Sequence, residues 1–339
     1  MVGYSYNEST MMGGNAVPWG DFSSDPIGMA FTGNGACVAV ARVQVKMDAG
    51  NVGELRFAQW VGGWSPGFGG SLTPVQQAPP LYINGGPSVA GSSTRAHSAF
   101  QGTDMKLYYA EYFNGSWFPT SEPITAGAAQ SAGPVPPAIT ILADTPIVAF
   151  IGTDGDLHDQ TRKCGTWQPS NPHGVAGHGA SVAPAIVTLT QGAELLIVYT
   201  DSAANALMYT VRTAGTWSTP AAIPGATSAS QVSLAPLTAG GAVLSYLGTE
   251  TPNGHLYTTV MSAGAPFTWT APVVGVMGSD PALVSTPVVA TGATGAQAEL
   301  LYLESPSYIL YSARMTNGAW GPRVMQGSAS YYLGMATGN

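Results

Sequence analysis

Six segments of the chain repeat one pattern, in which a leucine begins a run of mixed polar and aromatic residues and a tryptophan ends it. The segments recur about every 50 residues, an interval that matches β-propeller blades and is longer than that of most helical repeats. They span residues 55–64, 107–117, 157–167, 207–217, 256–269 and 310–320. The period therefore predicts a ring of repeated β units.

Each repeat has the pattern of one four-stranded blade. In the fourth copy, short apolar runs at 184–189 and 194–199 predict the first two strands, and 207–213 predicts the third. Ala214 and Gly215 form the predicted turn, after which Trp217 begins the fourth strand. The fold class is therefore all-β, a six-bladed β-propeller of four-stranded antiparallel blades. Seven blades are the alternative, because the two chain ends together approach the length of one more blade.

The chain is predicted to be a single domain, because a ring of repeats has no internal boundary. A proline is expected to begin each first strand, where its missing N–H is tolerated; these are Pro26, Pro80, Pro137, Pro184, Pro236 and Pro287. The blades are expected to start near Phe22, Thr73, Thr125, Ala176, Thr227 and Met277, leaving tails at 1–21 and 328–339. Aromatic residues in both tails indicate that the tails pack where the last blade meets the first.

Charge and composition restrict the partners. Only 8% of residues are charged, the net charge is -8, and Lys and Arg together number ten, which argues against nucleic acid. No apolar run approaches the roughly 18 residues of a membrane span, and the first residues lack the pattern of a secretory signal. We expect a soluble chain with a neutral partner, either cytoplasmic or exported by a non-classical route, and self-association stays open.

The tryptophans are the first candidate binding residues. An indole face stacks on the C–H face of a sugar ring while its N–H remains free for a hydrogen bond. Periodic tryptophans in repeat proteins also pack between neighbouring units. Both roles stay open for Trp117, Trp167, Trp217, Trp269 and Trp320.

Arginines give a second periodic signal. Arg162, Arg212 and Arg314 each precede the tryptophan of their repeat by five or six residues. The guanidinium fork suits planar hydrogen bonding to paired hydroxyls, although an arginine lying over an aromatic ring is an ordinary surface feature. The equivalent or nearly equivalent places in other repeats hold Tyr112, Met261 and Trp60.

Acidic residues just past the second strand form a third periodic element. In a propeller this hairpin shares one face of the disc with the connection between blades, so the carboxylates are expected to form a ring there. Turn chemistry alone also explains Asp and Glu in hairpins. The residues are Asp104, Asp154, Asp201, Glu250 and Glu304, with Asp48 a looser match.

The remaining motifs indicate neither a cofactor nor catalysis. Thr153 to Asp156 has the form of a calcium-loop fragment but lacks the further ligands, so a tight hairpin turn is expected. His173 and His178 have no cysteine or third histidine near them, which argues against a metal site. Cys37 and Cys164 lie at non-equivalent places in their repeats, so the fold is expected to hold without a disulfide. No nucleophile elbow, phosphate loop or zinc-protease motif occurs.

The repeated leucine-to-tryptophan pattern, with its proline-led first strand and apolar second strand, resembles the repeats of bacterial and fungal β-propeller lectins. These include the six-bladed fucose-binding family and its seven-bladed bacterial relatives. The resemblance spans about Phe22 to Gln326 and implies sugar pockets between adjacent blades, held by an arginine, an acidic residue and stacking aromatics. It implies such roles for Arg162 with Trp167, Arg212 with Trp217, and Arg314 with Trp320.

The sequence therefore predicts a multivalent, non-catalytic lectin that binds glycans by aromatic stacking and by hydrogen bonds from arginine and carboxylate. Arginine and glutamate do not recur in every blade, so the monosaccharide stays open. A propeller used only as a protein-binding scaffold is one alternative, because one fold hosts many functions. A sialidase-like glycoside hydrolase is another, although the Asp-box motif of those enzymes is incomplete in every repeat.

Overall fold

The structure is a computed structural model of the full chain. It describes residues 2–3, 6–7, 12–13, 17–18, 28–32, 37–47, 50–60, 64–65, 73–75, 82–118, 121–124, 135–173, 182–190, 194–249, 254–276, 282–283, 285–292 and 296–328. These residues contain strands, turns and bends and no helix. It follows that none of them belongs to a helix long and apolar enough to cross a membrane.

Six antiparallel sheets follow one another along the chain, and each has four strands in sequence order. The predicted six-bladed propeller is therefore confirmed. We number the blades 1 to 6 in chain order. Blade 1 contains Gly28–Phe31, Cys37–Met47, Gly50–Trp60 and Trp64–Ser65; blade 2, Ile83–Gly91, Arg95–Gly102, Leu107–Phe113 and Ser116–Trp117; blade 3, Ala138–Leu142, Thr145–Ile151, Leu157–Lys163 and Thr166–Trp167. Blade 4 contains Ala185–Thr188, Leu195–Thr200, Ala206–Thr213 and Thr216–Trp217; blade 5, Ser233–Pro236, Ala242–Leu247, Leu256–Met261 and Val273–Val274; blade 6, Val288–Thr291, Ala298–Glu304, Ile309–Thr316 and Ala319–Trp320.

The outermost strand is interrupted in most blades. After its tryptophan the chain leaves the sheet briefly and then pairs with the third strand again. These second segments are Thr73–Pro74, Glu122–Pro123, Asn171–Pro172, Ala221–Thr227 and Val324–Ser328 in blades 1, 2, 3, 4 and 6. In blade 5, Trp269 forms only an isolated bridge with Met261, and the regular strand begins at Val273. The tryptophan thus lies at a fixed place on the rim of each sheet.

The turn before the tryptophan explains why this part of the repeat is so regular. Ala214 and Gly215 have φ angles of 49° and 80°, and positive values at both central residues define a type I′ hairpin turn. Cys164 with Gly165 and Asn317 with Gly318 repeat this geometry. The turn at Ala214 and Gly215 is the one that the sequence of the fourth repeat predicts, and it fixes the pairing of Arg212 with Trp217.

The core lies between the blades. Every residue of the second strand of blade 4, Leu195–Thr200, is buried, because blades 3 and 5 cover its two faces. The first strands of successive blades contact one another from blade 1 through to blade 6, around the centre of the ring. Continuous apolar second strands are therefore a consequence of double-sided packing.

One of the predicted proline positions differs in the structure. Pro137, Pro184 and Pro287 directly precede a first strand, but Pro236 is the last residue of one and pairs with Ala242. The first strand is the inner edge of its sheet, so a missing N–H on its unpaired side is tolerated there too. Pro26 and Pro80 lie outside the described residues.

The chain ends are described only in part. Val2–Gly3 pairs with Val17–Pro18, and Tyr6–Asn7 pairs with Met12–Gly13, so the first tail contains its own antiparallel pairing. The last tail, 329–339, lies outside the described residues, so the predicted packing of both tails at the closure stays a prediction. The two cysteines are both free, with Cys37 buried in blade 1 and Cys164 exposed on blade 3.

Close approach of the first two blades requires a glycine at the end of the first strand of blade 2. A Cβ atom on Gly91 would lie 1.7 Å from the carbonyl oxygen of Phe31. We expect Gly91→Ala to lower the free energy of unfolding by about 1–3 kcal/mol, the usual cost of overpacking. Urea denaturation measures this loss of stability. Gly321→Ala is a suitable control, because a Cβ atom on Gly321 would lie no closer than 3.4 Å to its nearest neighbour, the Arg314 carbonyl oxygen. Equal stability of Gly91→Ala and the parent would contradict this account of the junction.

Candidate functional site

The tryptophans pack against the preceding blade. Trp167 of blade 3 meets the ring of Tyr109 in blade 2 edge to face, with the ring centroids 5.5 Å apart. Trp269 of blade 5 meets Tyr209 of blade 4 in the same way, at 5.6 Å. Tyr109 and Tyr209 both lie two residues after the repeated leucine of their third strand. The repeated tryptophan is therefore a contact between successive blades.

Burial limits the surface that these rings offer to a ligand. Trp117 and Trp320 are 8% exposed and Trp167 is 5% exposed, whereas Trp217 and Trp269 are half-buried. Trp320 also donates from Nε1 to Thr258 Oγ1 at 3.0 Å. A stacking role for the tryptophans stays a prediction, and the half-buried pair has more free surface for it.

Two of the predicted arginines have the same position in their blades and different partners. Arg162 pairs with Trp167 and donates from Nε and Nη2 to Glu122 Oε2 of blade 2, at 3.1 and 2.8 Å. Arg212 pairs with Trp217, and its Nε lies 3.2 Å from Glu194 Oε2 in its own blade. Arg162 therefore joins two blades, and Arg212 reinforces one.

The third predicted arginine lies on the opposite face of its sheet. Met315, not Arg314, pairs with Trp320, so Arg314 occupies the preceding position, from which the side chain points the other way. It forms an ion pair with Glu299 at 2.9 Å. Arg314 therefore does not have the position of Arg162 and Arg212, because it precedes its tryptophan by six residues and they precede theirs by five. Its predicted binding role stays a prediction. In blade 2 the residue that pairs with the tryptophan is Tyr112, which is buried and donates to Gln59 of blade 1.

The predicted acidic residues mostly close their own turns. Asp154 accepts the Asp156 N–H at 3.0 Å and lies 2.9 Å from His158 Nε2. Asp201 accepts the Ala203 N–H at 2.8 Å, and Glu304 accepts from Arg323 at 2.6 Å. Glu250 and Asp48 lie outside the described residues. The expected hairpin turn at 153–156 is confirmed by the Gly155 N–H, which donates to Gly152 O at 3.0 Å.

A cavity of about 300 Å³ lies between blades 2 and 3, and polar side chains of both blades line it. We refer to it as the blade 2–3 pocket. Blade 2 supplies residues 92–95, His97, Tyr109 and Glu111, and blade 3 supplies Asp144, Pro146 and Arg162. Ser93 Oγ donates to Asp144 Oδ1 at 3.3 Å, so the first hairpins of the two blades contact each other beside the pocket. Arg162 is thus the one predicted site residue that lines this cavity.

A chain of hydrogen bonds runs along the blade 2 wall of the pocket. His97 Nδ1 lies 2.6 Å from the Tyr109 hydroxyl, which donates to Glu111 Oε2 at 3.0 Å. His97 Nε2 lies 3.1 Å from Ser92 Oγ. Arg95 donates to the second oxygen of Glu111. Both oxygens of the Glu111 carboxylate are thereby held in fixed directions.

Burial and pairing set the charges around the pocket. Burial lowers the pKa of His97 to about 4, although the nearby Glu111 carboxylate opposes this shift, so the ring is neutral at pH 7. Burial opposes the charge on Arg162, but its hydrogen bond with Glu122 and the charges of Glu122 and Glu111 together outweigh burial and raise the pKa of the guanidinium. Two arginines and two carboxylates, Glu111 and Asp144, therefore line the pocket with balanced charge.

The other junctions differ at the positions that correspond to His97 and Glu111, a cross-strand pair. In every blade, the residue that corresponds to Glu111 lies four positions after the repeated leucine of the third strand. This residue and its cross-strand partner on the second strand both face the next blade. Those pairs are Val38 with Gln59, Ile147 with Thr161, Leu196 with Val211, Val243 with Val260, and Glu299 with Arg314. Blades 3, 4 and 5 thus present mostly apolar residues there, and blade 6 presents an ion pair.

Sequence reasoning missed most of the pocket, namely Arg95, His97, Tyr109, Glu111 and Asp144. A usable signal was present. In a chain with 8% charged residues, Arg95 with His97 and Tyr109 with Glu111 are two pairs of polar residues spaced two apart. That spacing places each pair on one face of a strand. The search for features common to all blades passed over them because only blade 2 has them.

His173, one of the two histidines in the connection after blade 3, lies inside the fold. This side chain is buried, its Nε2 lies 2.9 Å from Asp159 Oδ1, and its ring meets Trp217 at 4.8 Å. His178 lies outside the described residues. Within the part of the chain that the structure describes, no three His, Cys, Asp or Glu side chains are arranged to hold a metal ion.

Solved structures share this fold at low sequence identity. BP39L lectin from Burkholderia pseudomallei is 17% identical, with a TM-score of 0.64 over 90% of this chain and 85% of that one. AofleA from Arthrobotrys oligospora is 13% identical, with a TM-score of 0.56 over 92% and 91% of the two chains. A six-bladed lectin from Aleuria aurantia with a novel fucose recognition mode is 14% identical, with a TM-score of 0.51 over 92% and 99%. No protein-family model matches the sequence, and no curated protein does.

Proposed function

We propose that this chain is a carbohydrate-binding propeller and that the blade 2–3 pocket is its principal binding site. The observation that carries the proposal is the convergence of Arg95 and Arg162, from two blades, on a cavity that also holds the fixed carboxylate of Glu111. Arginine forks and carboxylates together provide the donors and acceptors that adjacent sugar hydroxyls require. Sugar-binding propellers among the solved structures of the same fold, BP39L and the Aleuria aurantia lectin, support it.

The charge balance of the pocket favours a neutral sugar. Arg95 and Arg162 each have a carboxylate partner, Glu111 and Glu122, so neither guanidinium needs an anionic ligand to neutralise it. Asp144 adds a further negative charge at the edge, which repels an acidic sugar. We propose a neutral pyranose as the ligand, and L-fucose is the first probe because the Aleuria aurantia lectin is described with a fucose recognition mode.

Multivalency is the finer part of the proposal. Several weak sites on one rigid ring gain avidity on a glycan-coated surface without any one site being tight. The half-buried Trp217 with Arg212 is a second candidate position, although the neighbouring cross-strand pairs are mostly apolar. Calorimetry with a free monosaccharide gives the number of sites directly, and a single site per chain would restrict the proposal to the blade 2–3 pocket.

The first test removes the arginine that joins the two blades. Arg162→Ala should weaken binding of methyl α-L-fucoside by about 10- to 100-fold, because hydrogen bonds from a charged group contribute about 1.5–3 kcal/mol. The melting temperature should change little, since partly exposed ion pairs contribute little to stability. Calorimetry with fucoside, galactoside, mannoside and N-acetylneuraminic acid measures both affinity and preference.

Arg212→Ala is the matched control, because Arg212 has the same position in blade 4 and pairs within its own blade. It should leave the binding at the blade 2–3 pocket unchanged. Equal affinity of Arg162→Ala and the parent would move the site elsewhere. Failure of every sugar in the panel, followed by failure on a glycan array, would favour the protein-binding scaffold.

A glycosidase of the sialidase type is the second candidate, because the pocket brings a tyrosine, a glutamate and two arginines together. Such enzymes use a tyrosine nucleophile with an acidic partner. Burial and the neighbouring Glu111 raise the pKa of Tyr109 well above its ordinary value, so the side chain stays a phenol. The ring is also 3% exposed. We therefore propose binding without catalysis, and release of fluorophore from a sialoside substrate would contradict it.

A further inference from the structure

The partners in the hydrogen-bond chain behind the pocket determine which atom donates in each hydrogen bond. Glu111 only accepts, so the Tyr109 hydroxyl uses its single hydrogen on Glu111 Oε2 and must itself accept from His97 Nδ1–H. A neutral ring with its proton on Nδ1 has a lone pair on Nε2, and that atom lies 3.1 Å from Ser92 Oγ. The Ser92 hydroxyl therefore donates to His97, and its oxygen lone pairs remain available to the pocket.

We propose that His97 is a positioning residue of the blade 2–3 pocket and that acid weakens ligand binding through it. Its hydrogen bond to Tyr109 holds Glu111 in place, and its hydrogen bond with Ser92 keeps a hydrogen-bond acceptor in the wall of the pocket. This inference rests on the proposed function. It concerns a buried side chain that touches the ligand only through its neighbours. His97 is 3% exposed, so its proton state depends on the protein around it.

Acid changes the pattern at Ser92. When Nε2 gains a proton it becomes a donor, and the Ser92 oxygen must accept from it, so this oxygen offers one lone pair fewer to a ligand. The serine hydrogen then has the Arg95 carbonyl oxygen, 3.4 Å away, as its alternative acceptor. A ligand hydroxyl that donated to Ser92 at neutral pH then shares this oxygen with the His97 Nε2–H, so its hydrogen bond is weakened.

The charges that face His97 come from both blades. Glu111 on the third strand of blade 2 and Asp144 on blade 3 favour the protonated ring, whereas Arg95 and Arg162 disfavour it. A proton on His97 adds a third positive charge to the pocket, and the two arginines there already have carboxylate partners. Burial and the arginines therefore keep the ring neutral until the solution is distinctly acidic.

Two substitutions separate positioning from packing. His97→Asn keeps an N–H that donates to Tyr109 and cannot titrate, so its affinity for methyl α-L-fucoside at pH 7 should stay within about threefold of the parent. His97→Leu leaves the Tyr109 oxygen without its donor and should weaken binding about tenfold or more. If His97 only fills space, the leucine variant should bind as well as the asparagine variant, and that result would overturn the proposal.

The pH profile is the readout that a structural role would not produce. Because protonation removes the binding-competent form, the parent's affinity should hold from pH 7 to pH 5, halve at pH 4 and fall about fourfold by pH 3.5. His97→Asn keeps every other charged group of the pocket, so any effect of pH that does not come from His97 appears in both proteins and cancels in the comparison. Identical profiles for the two proteins would overturn the proposal, and circular dichroism at each pH confirms that both are folded.

A measurement without ligand keeps this inference distinct from the proposed function. Long-range ¹H–¹⁵N spectra of the free protein should show the Nδ1–H tautomer of neutral His97 at pH 7. An Nε2–H tautomer, or a charged ring at pH 6, would overturn the hydrogen-bond chain whatever the sugar results. Absence of binding by every sugar, with the expected tautomer present, would instead refute the proposed function alone.

Discussion

Trp167→Ala should lower the free energy of unfolding by about 3–5 kcal/mol, the usual cost of deleting a large buried aromatic side chain. The ring is 5% exposed and packs against Tyr109 inside the apolar cluster that joins blades 2 and 3. The same substitution should weaken sugar binding, because Tyr109 lines the pocket and rests on the indole. Urea denaturation and calorimetry on one preparation measure both effects.

Trp217→Ala is the matched control for this effect on binding. Trp217 occupies the same place in blade 4, and its ring meets His173 rather than a pocket residue. We expect a loss of stability, somewhat smaller because the ring is half-buried, with no change in binding at the blade 2–3 pocket. If Trp217→Ala also reduces binding, a second site lies beside blade 4 and the multivalent form of the proposal gains support. A Trp167→Ala protein of unchanged stability would contradict the packing described above.

The architecture was predictable because it depends on features that every blade shares. A type I′ turn needs residues that tolerate positive φ, so glycine recurs before the tryptophan, as at Gly165, Gly215 and Gly318. A second strand covered on both faces needs continuous apolar residues. These requirements are local, repeat in each blade and are therefore visible in one sequence. They sufficed to predict the blade count and the strand order.

The site was less predictable because it depends on side-chain direction and on one junction. Counting back from the tryptophan does not show that Arg162 and Arg212 share a face while Arg314 is on the other, since the side-chain direction in a strand reverses with each residue. The polar wall of the pocket belongs to blade 2 alone. A search for features that all six repeats share overlooks residues that occur in only one repeat, and a binding site needs the residues of only one repeat.

Burial of ionisable groups was also beyond the sequence. His97 and Glu111 read as ordinary polar residues of a strand, and nothing in their order shows that Tyr109 lies between them in space. Their pairing follows from a register in which His97 faces Glu111 and Ala99 faces Tyr109. This register is set by the hairpin that joins the second and third strands, whose Gly102 N–H donates to the Lys106 carbonyl oxygen at 2.9 Å. Only the folded sheet shows this arrangement.

Acid should destabilise the protein through His97 even when no ligand is present. Burial lowers the pKa of this ring to about 4 in the folded state, whereas an unfolded chain has the ordinary value of 6.5. Above pH 6.5 both states are neutral, and below pH 6.5 the unfolded state takes up a proton that the folded state does not. Stability therefore falls as the pH drops, and from pH 7 to pH 4.5 we expect a loss of about 2–3 kcal/mol from this residue.

His97→Asn isolates that contribution, because it removes the titrating ring and leaves every other ionisable group in place. The variant should be less stable than the parent at pH 7, since it loses the contact with Ser92, and its stability should fall less steeply with acid. The two curves of unfolding free energy against pH should therefore approach each other by about 2–3 kcal/mol between pH 7 and pH 4.5. Parallel curves would mean that His97 titrates at the same pH in the folded and unfolded states. The buried hydrogen-bond chain behind the pocket would then be incorrect, because a ring held neutral between Tyr109 and Ser92 must resist protonation.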